Sequence, residues 1–187
     1  MNILTSRLPE SVLIDGEEYA INTDYRVGLK IMMLFEDPDF SPREKAALML
    51  RLLYPVIPTN IGKAQELAIR FLDCGETREP VPTDAPRRYS FQKDAKYIYT
   101  GIQQTHGIDL ESVGYLHWWK FVYLFMDLSG ECTFSRILDL RKRRAEGKLM
   151  PEEKRFCAEI KDVLDLPAFQ TSEEKAVADE FMRRLKG

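Results

Sequence analysis

Two spacings of hydrophobic residues organise this chain, and the first is the alternation of a β-hairpin. In residues 12–21, VLIDGEEYAI, Val12 and Ile14 before the Asp15-Gly16 pair, and Tyr19 and Ile21 after it, have the two-residue spacing of one face of a strand. An Asp-Gly pair between two such runs is a strong signal for a tight hairpin turn. The segment therefore predicts a β-hairpin, and we expect no other β-structure in the chain.

Three helices are predicted between the hairpin and residue 74, because apolar residues there recur at three- and four-residue spacing. Each follows a residue whose side chain can accept a hydrogen bond from the first helical turn. The predicted caps and helices are Thr23 for residues 24–36, Ser41 for residues 42–54 and Asn60 for residues 61–74. Gly75 is predicted to end the third helix.

Residues 75–89 are rich in proline and polar residues and predict a linker or surface loop. This loop would separate a subdomain of residues 1–74 from a helical subdomain of residues 90–187, although one compact domain is also compatible with the pattern. Further helices are predicted over residues 90–106, 109–128 with Asp109 as cap, 134–147, 151–166 and 173–186. The expected fold class is mainly α: an N-terminal β-hairpin followed by a bundle of seven to eight helices.

Composition narrows the classes of protein that fit this pattern. The chain has 187 residues, of which 44% are hydrophobic and 30% charged, and a net charge of −3. These values are typical of a globular protein and provide no overall field that would attract nucleic acid or anionic lipid. The three cysteines lie far apart, so we expect reduced thiols in a cytoplasmic protein.

Targeting signals are not apparent in the sequence. The N-terminus lacks the basic and long apolar regions of a signal peptide. The most apolar run, residues 115–128, is interrupted by His117, Lys120 and Asp127, whereas a membrane span needs about 20 apolar residues. We therefore expect no membrane association.

His117 is the first candidate for catalysis or metal binding. On a helix, the residues three and four positions away from it would be Val113, Gly114, Lys120 and Phe121, which include no metal ligand and no carboxylate. This favours an ordinary histidine at the edge of the core and leaves a functional role as the weaker alternative. We predict no catalytic residue, no metal site and no cofactor.

Two charged clusters are also better explained by structure than by chemistry. The carboxylates of Asp24, Glu36, Asp37 and Asp39 surround the ends of the first predicted helix, where acidic caps are common. The basic run from Arg141 to Arg144 is expected to form a solvated helix face. An acidic protein partner or nucleic acid remains an alternative for that run.

The stretch YLHWWKF, residues 115–121, contains both tryptophans of the chain. On the helix predicted there, apolar groups would surround nearly the whole circumference, which is typical of a helix in the centre of a core. The alternative is a groove for a partner, and its candidate residues are Tyr115, Trp118, Trp119, Tyr123 and Phe125.

Three blocks in order, LIDGEEYAINTDYR, YSFQKDAKYIYTGIQQTHGIDLE and YLHWWKF, resemble the phage Gp-fifteen family, a tail-cluster family of long-tailed phages and prophages. The resemblance covers roughly residues 1–165, judged from those blocks. It is carried above all by the LHWWKF signature. The individual blocks are short, and it is their order and spacing that make the match specific.

The resemblance implies a gene between those of the major tail protein and the tape-measure protein. Proteins in that position are taken to be non-enzymatic tail assembly chaperones, which bind the apolar helical tape-measure protein, recruit tail-tube subunits and are absent from the virion. We expect a helix of the tape-measure protein to bind in an apolar groove of this protein, in the cytoplasm of the host. A homo-oligomer is a further possibility that the sequence leaves open. A structural tail or connector component and a metal-assisted hydrolase are the alternatives.

Overall fold

A computed structural model describes residues 2–76 and 87–167 of the chain. Within them the chain forms one hairpin, β1 (Ser11–Ile14) and β2 (Glu17–Ala20), and eight helices. The helices are α1 (Tyr25–Glu36), α2 (Pro42–Leu53), α3 (Ile61–Leu72), α4 (Ala95–His106), α5 (Trp118–Met126), α6 (Thr133–Ala145), α7 (Pro151–Glu159) and α8 (Lys161–Leu164). The predicted fold class, mainly α with an N-terminal hairpin, is confirmed. The helix predicted over residues 173–186 lies outside the described residues.

The described residues belong to two compact units. The first contains residues 2–76 and 114–123, and the second contains residues 87–113 and 124–167. The chain thus leaves the first unit, returns to it for ten residues and leaves it again within α5. The predicted subdomains, residues 1–74 and 90–187, and the linker of residues 75–89 stay predictions.

The hairpin of the first unit has the predicted turn. Asp15 and Gly16 both have positive φ angles, 50° and 89°, which is the conformation of a tight turn whose twist matches that of paired strands. The strands pair antiparallel, with Ile14 opposite Glu17 and Val12 opposite Tyr19. Ile14 is buried, while Leu13 on the opposite side of the strand is 66% exposed.

The caps of the first three helices follow the sequence closely, with one correction. Ser41 and Glu44 form the expected capping box, and the Asn60 side chain accepts a hydrogen bond from the Lys63 amide. The first helix is capped by Asp24 and not by Thr23, because the Thr23 hydroxyl is bonded to the hydroxyl of Tyr115, 2.7 Å away.

The core of the first unit lies between α1, α2, α3 and the start of α5. Its largest fully buried side chains include those of Trp118, Tyr54, Phe121, Ile31 and Met32. The Tyr54 hydroxyl donates to the carbonyl of Ala64 at 3.0 Å, and burial raises its pKa to about 12. The residue therefore stays neutral and serves packing.

The second unit is organised around one buried ion pair. The Arg141 guanidinium forms two hydrogen bonds of 2.6 and 2.9 Å with the Asp94 carboxylate. It also donates to the backbone carbonyls of Arg88, Val163 and Leu164, so all five N–H groups of the guanidinium have acceptors. The side chains of Asp94 and Arg141 are 0% and 5% exposed, and the pair joins α4, α6 and α8.

This ion pair corrects the interpretation of the basic run as a solvated helix face. Arg141 is buried in the second unit, Arg143 pairs with Asp139 and Glu153, and Arg144 pairs with Asp165. Lys142 is exposed. Three of the four cations therefore have partners in their own unit.

Two helix starts differ from the prediction. The helix α4 begins at Ala95 and not at Ser90, because the Asp94 carboxylate accepts a hydrogen bond from the Ser90 amide and closes a separate turn. The helix α5 begins at Trp118 and not after Asp109. Asp109 caps only a turn, through the Glu111 amide at 2.9 Å.

We predict that Arg141→Met lowers the free energy of unfolding by about 3–5 kcal/mol, because it leaves the buried Asp94 carboxylate without its charge partner. Arg144→Met, in the same basic run, removes a half-exposed pair and should cost less than about 1 kcal/mol. Urea unfolding followed by circular dichroism measures both values. Equal losses in the two variants would contradict the role given to Arg141.

Candidate partner-binding site

The two adjacent tryptophans cap the C-terminal end of α3. The indole N–H of Trp118 donates to the carbonyl of Leu72 at 3.0 Å, and that of Trp119 donates to the carbonyl of Phe71 at 2.7 Å. The last carbonyls of a helix have no partner within the helix, and leaving them buried and unbonded is costly. Trp118 therefore bonds the Leu72 carbonyl while filling the core, and Trp119 adds a second donor to the Phe71 carbonyl, which also accepts from the Cys74 amide at 3.0 Å.

The segment before α5 is held in an extended conformation by the residues before α1. The Tyr25 amide donates to the Leu116 carbonyl at 2.8 Å, and the Trp118 amide donates to the Thr23 carbonyl at 2.7 Å. This pairing places Tyr115 and Leu116 outside α5. The helix predicted over residues 109–128 is therefore wrong at Tyr115 and Leu116, whereas residues 118–126 are helical.

His117 is used structurally at the start of α5. One ring nitrogen, Nδ1, accepts a hydrogen bond from the Trp119 amide at 3.1 Å, so the ring is neutral with its proton on Nε2. Nε2 donates to the Pro9 carbonyl at 3.0 Å. Burial lowers the pKa of His117 below its ordinary value of 6.5, and Lys120 acts in the same direction, while the Pro9 carbonyl and Glu10 oppose the shift.

Gly28 in α1 allows Trp118 to reach this position. A β-carbon added at Gly28 would lie 2.2 Å from Cε3 of the Trp118 ring, well inside van der Waals contact. The ring is fully buried and has no room to move away. The pairing of a helical glycine with a core tryptophan is a tertiary requirement that the pattern of α1 alone does not reveal.

An apolar groove lies beside the edge of Trp119. It has a volume of about 400 Å³, within the range of small ligand sites. Its described lining residues belong to the first unit. They are Ile3, Pro9, Val12, Leu13, Leu67, Arg70, Phe71, Cys74, Gly75 and Trp119. Ile3 and Leu13 are exposed large apolar residues, so the groove is open to a partner.

The five candidate residues do not form one surface. Trp118 and Trp119 are buried, and only Trp119 contributes to the groove; Tyr115 is 55% exposed and bonded to Thr23. Tyr123 is half-buried in the first unit. Phe125 belongs to the second unit, where its ring centroid lies 5.1–5.5 Å from those of Tyr89, Phe91 and Phe134. Partner binding by these five residues stays a prediction.

Sequence reasoning missed Leu13 and Arg70 as groove residues. A signal for Leu13 was present, because an apolar residue between Val12 and Ile14 breaks the alternation expected of a strand with one buried face. Arg70 gives no such signal, since an arginine in the last turn of a helix is ordinary.

Two of the carboxylates around α1 and the second histidine of the chain, His106, also have structural partners. Asp24 caps α1 through the Arg26 amide, and Asp37 accepts a hydrogen bond from the Asp39 amide at 2.9 Å. Nε2 of His106 lies 2.8 Å from the carbonyl of Leu124. Among residues 2–76 and 87–167, no three or more His, Cys, Asp or Glu side chains are grouped so that they could hold a metal ion.

The described helices also bear on membrane association. In residues 2–76 and 87–167, no helix combines the length and the apolar character that crossing a bilayer requires.

The fold and this site define a mainly α protein. Its two tryptophans are part of the core, and an apolar groove lies on the surface of its first unit. The family model described as Bacteriophage Gp15 protein matches residues 4–166. The chain therefore belongs to the bacteriophage Gp15 family, as the three sequence blocks indicated. No curated protein and no solved structure matches the chain. Family membership indicates a structural or assembly-related phage protein with partners among phage proteins.

We predict that Gly28→Ala lowers the free energy of unfolding by about 2 kcal/mol or more, because the new methyl group collides with the immobile Trp118 ring. Gly62→Ala is the matched control: Gly62 is also helical, and the nearest atom to an added β-carbon is 3.8 Å away. That variant should be neutral or more stable by up to about 1 kcal/mol. Urea unfolding measures both, and a stable Gly28→Ala variant would contradict the packing described.

We predict that the free energy of unfolding decreases as the pH falls below about 6.5, at no more than about 1.4 kcal/mol per pH unit from His117. The lowered pKa means that the unfolded chain binds a proton before the folded chain does, so the contribution is complete above pH 6.5 and is lost toward acid. Urea unfolding at several pH values measures it.

The matched variants for this pH dependence are His117→Asn and His106→Gln. Asparagine can retain the acceptor for the Trp119 amide but does not titrate, so His117→Asn should flatten the dependence. His106→Gln should leave it intact. A dependence that follows His106 instead would refute the assignment.

Proposed function

We propose that the protein is a non-enzymatic tail assembly chaperone that binds the tape-measure protein and helps to recruit subunits of the tail tube. The observation that carries this proposal is the open apolar groove beside Trp119, in a chain of the bacteriophage Gp15 family. Long apolar segments need a covering partner before assembly, and a groove with exposed apolar walls suits that task.

The non-enzymatic part of the proposal is supported by the use of the histidines. Both ring nitrogens of His117 are engaged with backbone groups, and Nε2 of His106 is bonded to the Leu124 carbonyl. A general acid or base must instead reach the reacting atoms of a substrate. The proposed place of action is the host cytoplasm, and we propose that the protein is absent from the mature virion.

We predict that co-expression with the tape-measure protein of the same phage raises the soluble yield of that protein and that the two co-purify. Leu13→Asp should reduce co-purification by about tenfold, because a carboxylate in the apolar groove is poorly solvated when a partner covers it. Leu4→Asp is the matched control, since Leu4 is 90% exposed and is not part of the groove lining.

The outcome that would contradict the chaperone is an unchanged soluble yield without co-purification. A structural tail or connector component is the alternative, and mass spectrometry of purified virions separates the two. The chaperone should be missing from the particle, whereas a connector should be present in stoichiometric amount.

A further inference from the structure

We infer that β1 is a docking edge at which an extended segment of the partner adds a third strand, with apolar side chains entering the groove and a carboxylate meeting Arg70. This inference rests on the proposed function, because the partner is the tape-measure protein. It differs from the expectation of a bound helix, and the reason lies in the backbone of the hairpin.

The hydrogen-bond register leaves one edge of β1 open. Residues that flank a two-residue turn exchange hydrogen bonds, and bonded pairs then alternate with unbonded pairs along the strands. Ile14 with Glu17 and Val12 with Tyr19 are bonded pairs, and the 2.9 Å bond from the Ile21 amide to the Glu10 carbonyl continues this register. The N–H and C=O groups of Leu13 therefore point away from β2.

Outside the strand pairing, no hydrogen bond between described residues involves the Leu13 amide or carbonyl, and the register directs both groups away from β2. A strand edge with free donors and acceptors is a template for another strand. The residue Leu13 is 66% exposed. An extended segment can pair there without any rearrangement of the hairpin.

The two edges of the sheet differ in chemistry. The edge strand β2, with the sequence EEYA, carries the adjacent carboxylates Glu17 and Glu18, whereas β1, with the sequence SVLI, carries no charge. Charged side chains are the usual protection of an edge against strand addition. The unprotected edge is therefore β1, which is also the edge from which Val12 and Leu13 line the groove.

The groove adds selectivity to this backbone pairing. Val12 and Leu13 project to opposite faces of the strand, and because both line the groove, the groove must reach along the strand edge. Alternate side chains of an added strand point to one side, so one apolar set would enter the groove.

Charge complementarity specifies the remaining feature of the partner segment. Among the described lining residues of the groove, Arg70 is the one charged side chain, and it forms no ion pair with any described residue. It is exposed in the last turn of α3. A carboxylate on the bound segment can pair with it bidentately. The partner segment is thus extended, apolar at alternate positions and acidic next to them.

The test uses the full chain and synthetic peptides that tile the tape-measure protein, of which the tightest binder is studied further. Amide hydrogen exchange by NMR is measured at Leu13 and at Glu18 with and without the peptide. We expect exchange at Leu13 to slow by at least about tenfold, because a free amide becomes bonded, and exchange at Glu18 on the opposite edge to stay unchanged.

A second measurement reads the conformation of the bound peptide. N-methylation of one peptide amide at a time should weaken binding by about tenfold at every second position only, since alternate amides of an added strand face β1. Arg70→Glu should weaken binding of the unmethylated peptide by about tenfold, with Arg51→Glu, an exposed arginine in the last turn of α2, as the unaffected control.

The outcomes separate this inference from the proposed function. The tape-measure protein could be captured while exchange at Leu13 stays fast, or while the effect of N-methylation lacks the two-residue period. Either result would refute strand addition at β1 and would not affect the proposed chaperone function. A free chain that is already dimeric through a protected Leu13 amide also overturns it, since a second copy is then the occupant. If no tape-measure protein or peptide binds, both proposals fail together.

Discussion

The capping of α3 by two tryptophan indoles is the interaction on which the first unit depends. A helix that ends inside a core exposes carbonyls that water cannot reach, and each must find a donor. Trp118 supplies such a donor to Leu72, and Trp119 adds a second donor to Phe71, whose carbonyl also accepts from the Cys74 amide; the same two side chains fill the surrounding space. This explains why the chain places so much aromatic surface next to a histidine, since His117 positions the start of α5 through the Trp119 amide.

The same capping creates the groove. Because α3 ends at Leu72, the chain turns back through Cys74 and Gly75, both with positive φ angles of 58° and 78°. A β-carbon at Gly75 would lie 2.9 Å from the Trp119 ring, so this turn and the edge of Trp119 form one continuous wall. Trp119 therefore belongs both to the core and to the groove wall, whereas Leu13 lines the groove and lies outside the core.

Charge is used differently in the two units. In the second unit, Arg141 and Asp94 form a buried ion pair in which every guanidinium N–H is bonded. Separating the two side chains within the core would leave a buried charge without a partner. In the first unit, Arg70 has no ionic partner among the described residues. The nearly balanced total charge therefore does not reveal that Arg141 is paired within the second unit, whereas Arg70 in the first unit has no ion-pair partner among the described residues.

The sequence by itself determined the elements whose signals are local: the turn at Asp15 and Gly16, the capping box of α2 and the cap of α3 at Asn60. It also determined the family, through blocks that need no structure to be recognised. Only the tertiary structure decided what distant residues do. The spacing of Arg141 from Phe134 and Ile137 places it on one face of α6, but only the structure shows that Asp94 is its partner there. A free backbone edge at Leu13 likewise depends on what packs nearby. Local hydrogen bonds are encoded within a few residues, whereas burial and pairing depend on segments far apart in the chain.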